Sequence, residues 1–290
     1  MPAGGETLAG KPARSASELT LRVLSALVMA AVVLGVTYVG GWAFRLLWLA
    51  AGLAVLFEWL RMTRVEPFGL LMGALSLILV AAALPVAQDA RILLGLLAIG
   101  VLACLAVGSS WTDRGWAVAG GLYAAVLVVV PPSVRDPWVL FGNEFGRGLM
   151  FWIYGVVWAT DIAGYFVGRA IGGPKLWPAV SPKKTWSGFL GGVLLAIVIG
   201  LVLAHRFLYT ASAGASSWVD LVRNFGLAAV IASVVSQAGD LGESALKRRF
   251  DVKDSSHLIP GHGGLMDRLD GFWAVCALIG LATTATWIIS

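Results

Sequence analysis

The sequence is poor in charged residues. Only 13% of its 290 residues are Asp, Glu, Lys or Arg, whereas a soluble domain carries about 25%. Hydrophobic residues make up 59% of the chain, and the mean hydropathy is +0.85. This composition excludes an ordinary soluble domain and predicts an integral membrane protein.

Cysteine is also scarce, and an internal repeat is absent. Cys104 and Cys276 each lie inside an apolar run with no nearby partner, which excludes a disulfide framework and a Cys-x-x-Cys metal motif. The lack of a repeat argues against transporters built from inverted halves. We expect no cleavable signal peptide, because residues 1–18 are polar and the first apolar run is long enough to be a true span.

Long apolar runs dominate the chain. About 20 apolar residues cross a ~30 Å hydrocarbon core, and lipid permits only helices or closed barrels. Because the runs lack two-residue alternation, they predict an all-α polytopic protein with about nine transmembrane helices. The expected spans are 20–40, 43–60, 68–87, 92–110, 115–132, 149–170, 187–208, 225–243 and 271–289. The predicted organisation is a flexible N-terminus (1–18), N-terminal helices (19–147) and a C-terminal catalytic region (148–290).

The net charge of +5 comes from basic residues in short loops between the spans. That distribution is typical of membrane topology signals rather than of nucleic-acid binding. With the N-terminus in the cytoplasm, most basic residues lie inside, including those of loops 169–187 and 244–270. Without these two loops, the inner and outer sides carry equal numbers of basic residues, so the predicted orientation depends on the loops themselves. We expect an inner-membrane protein with both loops facing the cytoplasm.

The first five spans contain little besides apolar residues and tryptophans near their predicted ends. Tryptophan at such positions is typical of interface anchors or packing. Glu58 and Arg61 are three residues apart on one helix face and could pair locally.

The sixth predicted span and its exit carry polar groups. Asp161 lies well inside the span, where a carboxylate normally faces a polar cavity or a partner, with helix packing as the alternative. The exit loop contains Ser181, Lys183, Lys184 and Thr185. Such side chains hold phosphate oxygens, and a helix starting near Thr185 would offer free N–H groups to an anion. The equal alternative is a basic loop that only fixes topology.

The eighth span ends in a polar stripe. Asp240, Glu243 and Lys247 fall on one helix face. The carboxylates could bind a metal, while Lys247 and Arg248 reach for phosphates. Local pairing between Glu243 and Lys247 is the alternative.

The loop before the ninth span is rich in glycine and acid. Gly263 and Gly264 allow the backbone to approach a ligand closely, and His262 is placed for phosphate binding or proton transfer. Asp267 and Asp270 are three apart and could share a Mg²⁺ site with Asp240, since Mg²⁺ prefers oxygen ligands. Stabilisation of the helix dipole is the alternative.

Residues 244–270, hereafter the signature segment, resemble the signature of the phosphatidate cytidylyltransferases, also called CDP-diacylglycerol synthases. The matching positions are Ser244, Leu246, Lys247, Arg248, Lys253, Asp254, Ser256, Ile259, Pro260, His262, Gly263, Gly264, Leu265, Asp267, Arg268, Leu269 and Asp270. The segments GRAIGGPKLWPAVSPKKTWSG and SQAGDLGES are also similar to that family. One position departs from it: Trp186 stands where many relatives have an acidic residue.

The resemblance implies transfer of CMP from CTP to phosphatidic acid, which gives CDP-diacylglycerol and pyrophosphate. It implies Mg²⁺, and a second metal ion such as K⁺ is a further expectation. The expected partners are the two substrates, the bilayer and a second copy in a homodimer, with no nucleic acid.

We assign site roles as a hypothesis. Asp240 and Asp267 bind the metal, and Asp161, Glu243 and Asp270 are further ligands or supports. Substrate phosphates are held by Lys247, Arg248, Lys253 and Arg268. The triphosphate or lipid headgroup is held by Ser181, Lys183, Lys184 and Thr185. His262 supports the leaving pyrophosphate or orients a carboxylate.

Three other classes of protein fit parts of the pattern. A CTP-dependent polyprenol kinase would share the nucleotide and metal chemistry, but it would release CDP instead of pyrophosphate. A transporter of an anionic solute is disfavoured by the plain early spans. A structural scaffold leaves the charged signature segment unexplained.

Overall fold

The chain is largely helical. A computed structural model describes residues 16–136, 142–209, 218–259 and 263–289. The α-helices are α1 (Ala16–Val39), α2 (Gly41–Thr63), α3 (Phe68–Ala82), α4 (Ala90–Val107), α5 (Trp111–Arg135), α6 (Gly142–Ile171), α7 (Trp186–Leu203), α8 (Trp218–Leu221), α9 (Leu227–Arg249) and α10 (Met266–Ile289). A 3₁₀ turn (Pro85–Gln88) precedes α4, and π-helical turns follow α7 (Ala204–Tyr209) and join α8 to α9 (Val222–Gly226).

The helices confirm an all-α polytopic membrane protein. Within the described ranges, six helical stretches are long and apolar enough to cross a membrane: Gly41–Thr63, Ala90–Val107, Trp111–Arg135, Glu144–Ile171, Trp186–Leu208 and Val219–Arg249. Each of the nine predicted spans overlaps one α-helix. The helix α3, with 15 residues, is shorter than the roughly 20 that cross a bilayer. The number nine therefore stays a prediction.

The exit loop after α6 folds into a small antiparallel hairpin. Strand β1 (Lys175–Trp177) pairs with β2 (Ser181–Thr185), and Lys175 lies opposite Thr185. We call residues 175–185 the basic hairpin. The Thr185 hydroxyl accepts a hydrogen bond from the Gly188 N–H at 3.1 Å and so caps α7. The predicted helix start near Thr185 is confirmed.

Small residues bring α6 and α7 into close contact. A methyl group added at Gly188 would lie 2.6 Å from the Gly164 carbonyl oxygen and 3.2 Å from Cα of Gly168. Such small-residue contacts let membrane helices approach closely. As a result, the basic hairpin is held beside the C-terminal half of α6, which carries Asp161.

Aromatic contacts tie the first half of the chain to α10. Trp48 of α2 stacks on Phe272 with ring centroids 4.8 Å apart, and Tyr123 of α5 stacks on Trp273 at 4.0 Å. The Trp273 indole also donates to the Tyr123 carbonyl at 2.8 Å. The early helices therefore set the position of the helix that follows the signature segment.

Candidate active site

Five carboxylates from three helices form one electrostatically connected group, which we call the acid cluster. Its members are Asp161 of α6, Asp240 and Glu243 of α9, and Asp267 and Asp270 of α10. Asp161, Asp240 and Asp270 interact with one another, and Glu243 interacts with Asp270 and Asp267. The structure thus brings together residues that are more than 100 positions apart in the sequence.

Asp240 connects the acid cluster to the basic hairpin. Its carboxylate forms a salt bridge with the Lys184 ammonium and accepts a weak hydrogen bond from Ser244 at 3.4 Å. The Asp240 and Lys184 side chains remain 32% and 26% exposed. Both groups are therefore paired with each other and still reachable by a ligand.

Lys247 lies between two acids of the cluster. Its ammonium is 3.0 Å from the Glu243 carboxylate and 2.6 Å from Oδ1 of Asp267. The local Glu243–Lys247 pair exists, but Lys247 also links α9 to the start of α10. The second Glu243 oxygen, Oε2, is buried with no hydrogen-bond partner. Because an unsatisfied buried acceptor is costly, this oxygen is a place where a cation would be stabilised.

Asp267 organises the signature segment. Its Oδ2 accepts hydrogen bonds from the Ser255 N–H at 3.0 Å, the Ser255 hydroxyl at 3.1 Å and the Gly264 N–H at 2.9 Å. Since Oδ1 is bound by Lys247, both carboxylate oxygens have protein partners. Asp267 could enter the shell of a cation only if Lys247 released Oδ1.

The acid cluster fits Mg²⁺ in its donor chemistry. Mg²⁺ favours oxygen ligands and keeps waters and substrate phosphates in its octahedral shell. Asp161, Asp240 and Asp270 supply such oxygens, and their mutual repulsion would be relieved by a cation. Within the described part of the chain, no three His, Cys, Asp or Glu side chains converge on one point. Substrate phosphates and waters would therefore complete the shell.

The remaining predicted site residues occupy different positions. Arg268 is exposed and interacts electrostatically with Asp161. The Arg248 guanidinium donates to the Val252 carbonyl at 3.4 Å. Lys183 and Lys253 are exposed, and Ser181 is partly exposed. His262 lies outside the described residues.

Sequence reasoning missed Glu58. This residue of α2 is completely buried, and its carboxylate accepts four hydrogen bonds from residues 255–266. The predicted pair with Arg61 is wrong: the Arg61 guanidinium lies over the rings of Phe57 and Phe68, at 5.4 and 4.7 Å from their centroids. The available signal was a carboxylate within an apolar span, which marks a functional position by default.

Comparison with known proteins places the chain in a family of membrane nucleotidyltransferases. It belongs to the Cytidylyltransferase family, which matches residues 20–285. The match covers the plain early helices as well as the signature segment.

Several bacterial relatives carry one name, phosphatidate cytidylyltransferase. The chain is 41% identical to the protein of that name from Brucella suis biovar 1 over 268 residues, which cover 91% of this chain and 93% of the relative. It is 34% identical to that of Bacillus subtilis over 88% of this chain and 94% of the relative. It is 32% identical to the protein of that name from Staphylococcus epidermidis, over 92% of this chain and 100% of the relative.

Proposed function

We propose that the protein is a phosphatidate cytidylyltransferase, which transfers CMP from CTP to phosphatidic acid and releases pyrophosphate. The observation that carries this proposal is the 41% identity to a relative of that name over 91% of the chain. Lys184 and Lys247 beside the acid cluster support it, because these cations, together with a metal ion held by the acids, would offset the repulsion between two polyanionic substrates.

In this reaction the protein mainly positions the two substrates and stabilises the charge that develops during the transfer. An oxygen of the lipid phosphate attacks the α-phosphorus of CTP, and the bond to the departing pyrophosphate breaks. No side-chain nucleophile is required for this step. Holding the two phosphates in line removes much of the entropic barrier, and preorganised cations stabilise the charge that develops.

Each group of residues has a part in this proposal. Lys183 and Lys184 of the basic hairpin bind substrate phosphates, as does Arg268. Asp161, Asp240 and Asp270 would supply carboxylate oxygens for Mg²⁺, and substrate phosphates and waters would complete its shell because the three side chains do not converge on one point. Asp267 would be available to the ion only without Lys247 on its Oδ1. When bound, Mg²⁺ would supply positive charge that offsets the negative charge of the substrate phosphates.

The site also has a proposed orientation. The acid cluster lies at the C-terminal end of α9 and the N-terminal end of α10, beside the basic hairpin. Basic loops remain on the cytoplasmic side of membranes, so we place this end of the helices at the cytoplasmic face of the inner membrane. There CTP would enter from water and phosphatidic acid from the bilayer. A homodimer is part of the proposal through the family resemblance alone.

The reaction itself is testable with purified protein in detergent. With Mg²⁺, phosphatidic acid and CTP labelled at the α-phosphate, we expect label in a lipid product and one pyrophosphate per lipid labelled. A polyprenol kinase would instead release labelled CDP and leave the lipid without that label. Solute uptake into sealed vesicles without nucleotide turnover would favour a transporter. Either of these two results would contradict the proposal.

Lys183→Ala should raise KM for one substrate about tenfold with little change in kcat, because a charge-assisted hydrogen bond contributes roughly 1.5 kcal/mol or more. The matched control is Lys175→Ala, which removes an exposed cation from the other strand of the same hairpin. If the loop only fixes topology, the two variants will behave alike. Unchanged KM values for both substrates in Lys183→Ala would remove the phosphate role.

A further inference from the structure

A carboxylate in the second helix holds the signature segment in place. Glu58 Oε1 accepts hydrogen bonds from the Ser256 hydroxyl at 2.6 Å and the Leu265 N–H at 2.8 Å. Its Oε2 accepts from the Met266 N–H at 2.7 Å and the Ser255 hydroxyl at 3.2 Å. One buried side chain thus contacts both ends of the loop that precedes α10.

The backbone at the start of α10 lies tightly against the Glu58 carboxylate. Met266 begins α10 and Leu265 immediately precedes it. The leading N–H groups at a helix start have no partners within the helix, and Glu58 accepts from both of these residues. A methyl group added at Gly264 would lie 2.8 Å from Glu58 Oε1. Only glycine allows the loop backbone to approach the carboxylate so closely.

The contact continues into the acid cluster. The Ser255 hydroxyl lies 3.2 Å from Glu58 Oε2 and 3.1 Å from Asp267 Oδ2, so its single proton is shared between the two carboxylates. Asp267 in turn binds Lys247. A substitution at Glu58 should therefore change the position of Lys247, because Ser255 and Asp267 connect the two residues.

We propose that Glu58 is a positioning residue for cytidylyl transfer. It fixes Ser255, Ser256, Leu265 and Met266 so that Asp267 and Lys247 lie in the geometry that the reaction requires. This inference rests on the proposed function, since it assigns Glu58 a part in the same site. Glu58 touches neither substrate in this role and acts through the loop.

The experiment compares Glu58→Gln with Ser256→Ala. Glutamine keeps the shape but replaces one acceptor oxygen by an NH₂ group, which would face donors. Loss of such supporting contacts typically costs about 10–100-fold in activity. We expect that reduction in kcat, with KM for CTP within about twofold of the parent. The melting temperature in detergent should fall, because the buried NH₂ group leaves a donor without its acceptor, so kcat is measured per folded molecule. Glu66→Gln is the matched control, because Glu66 is exposed and bonds its own turn at Phe68.

Ser256→Ala keeps the test decisive if Glu58→Gln does not fold. The Ser256 hydroxyl bonds Glu58 and the Leu258 N–H, so we expect a loss in kcat of about threefold to tenfold. In the double variant, the two reductions should combine to less than their product, because both remove one interaction. A kcat within twofold of the parent for both single variants would overturn the inference. So would a reduced yield of folded protein with unchanged kcat per folded molecule.

The outcomes also separate this inference from the proposed function. If the parent protein makes no CDP-diacylglycerol, the proposed function fails. If the parent is active and Asp267→Asn is inactive while Glu58→Gln and Ser256→Ala behave like the parent, only the role of Glu58 fails.

Discussion

Replacing Asp267 with asparagine should lower kcat by about 10²–10³-fold, the size seen when a preorganised electrostatic group is removed from an active site. Asp267 receives Lys247 on one oxygen and three donors from Ser255 and Gly264 on the other. An amide offers only one acceptor oxygen, so its NH₂ group would face either Lys247 or the loop. The measurement is CTP-dependent lipid labelling by purified protein in detergent.

The matched control is Asp251→Asn. Asp251 is exposed just beyond α9 and has φ of 55°, a left-handed conformation that asparagine tolerates well. We expect activity near that of the parent in this control and an unchanged elution profile for both proteins. Near-normal turnover by folded Asp267→Asn would remove Asp267 from the reaction.

The second large effect is expected for Asp240→Asn. We predict a fall in kcat of about 10²-fold or more and a higher Mg²⁺ concentration for half-maximal activity. The physical reason is that Asp240 interacts with both Asp161 and Asp270, so its charge contributes to the field that attracts a cation. Activity should vanish with a chelator and return with added Mg²⁺ in the parent protein.

The variant Lys184→Met distinguishes two roles of Asp240, pairing with Lys184 and binding a cation. If Asp240 serves only to hold Lys184, the two variants will show the same loss and the same Mg²⁺ requirement. We expect instead that Lys184→Met raises KM for a substrate, while Asp240→Asn alone shifts the Mg²⁺ requirement. If the two variants behaved identically, the role of Asp240 would be to hold Lys184 of the basic hairpin rather than to bind the cation.

Much of the second half was predictable because its signals are local. An apolar run of about 20 residues specifies a membrane helix, and the two prolines between α6 and α7, Pro178 and Pro182, disfavour a continuous helix there. The stripe of Asp240, Glu243 and Lys247 follows from helical spacing alone. In the structure, Glu243 and Lys247 indeed form an ion pair.

The part that could not be predicted depends on contacts between distant segments. The hydrogen bonds from residues 255–266 to Glu58 span about 200 positions in the chain, and helical spacing gives no information about them. The three-residue spacing within α2 suggested Arg61 as the partner of Glu58, but an ion pair at that spacing on a helix contributes only about 0.2–0.5 kcal/mol. Four hydrogen bonds to a fully buried carboxylate outweigh it. The salt bridge between Lys184 and Asp240 is likewise a result of tertiary packing.

Direct cation binding tests the central claim, that the acid cluster holds a divalent ion together with substrate phosphate. Mn²⁺ is a suitable paramagnetic probe, because it favours the same oxygen ligands as Mg²⁺. We expect bound Mn²⁺ in the electron paramagnetic resonance spectrum of the parent protein with CTP, and a large loss of that signal in Asp240→Asn but not in Asp251→Asn. Equal Mn²⁺ binding by the parent and Asp240→Asn proteins would contradict the claim.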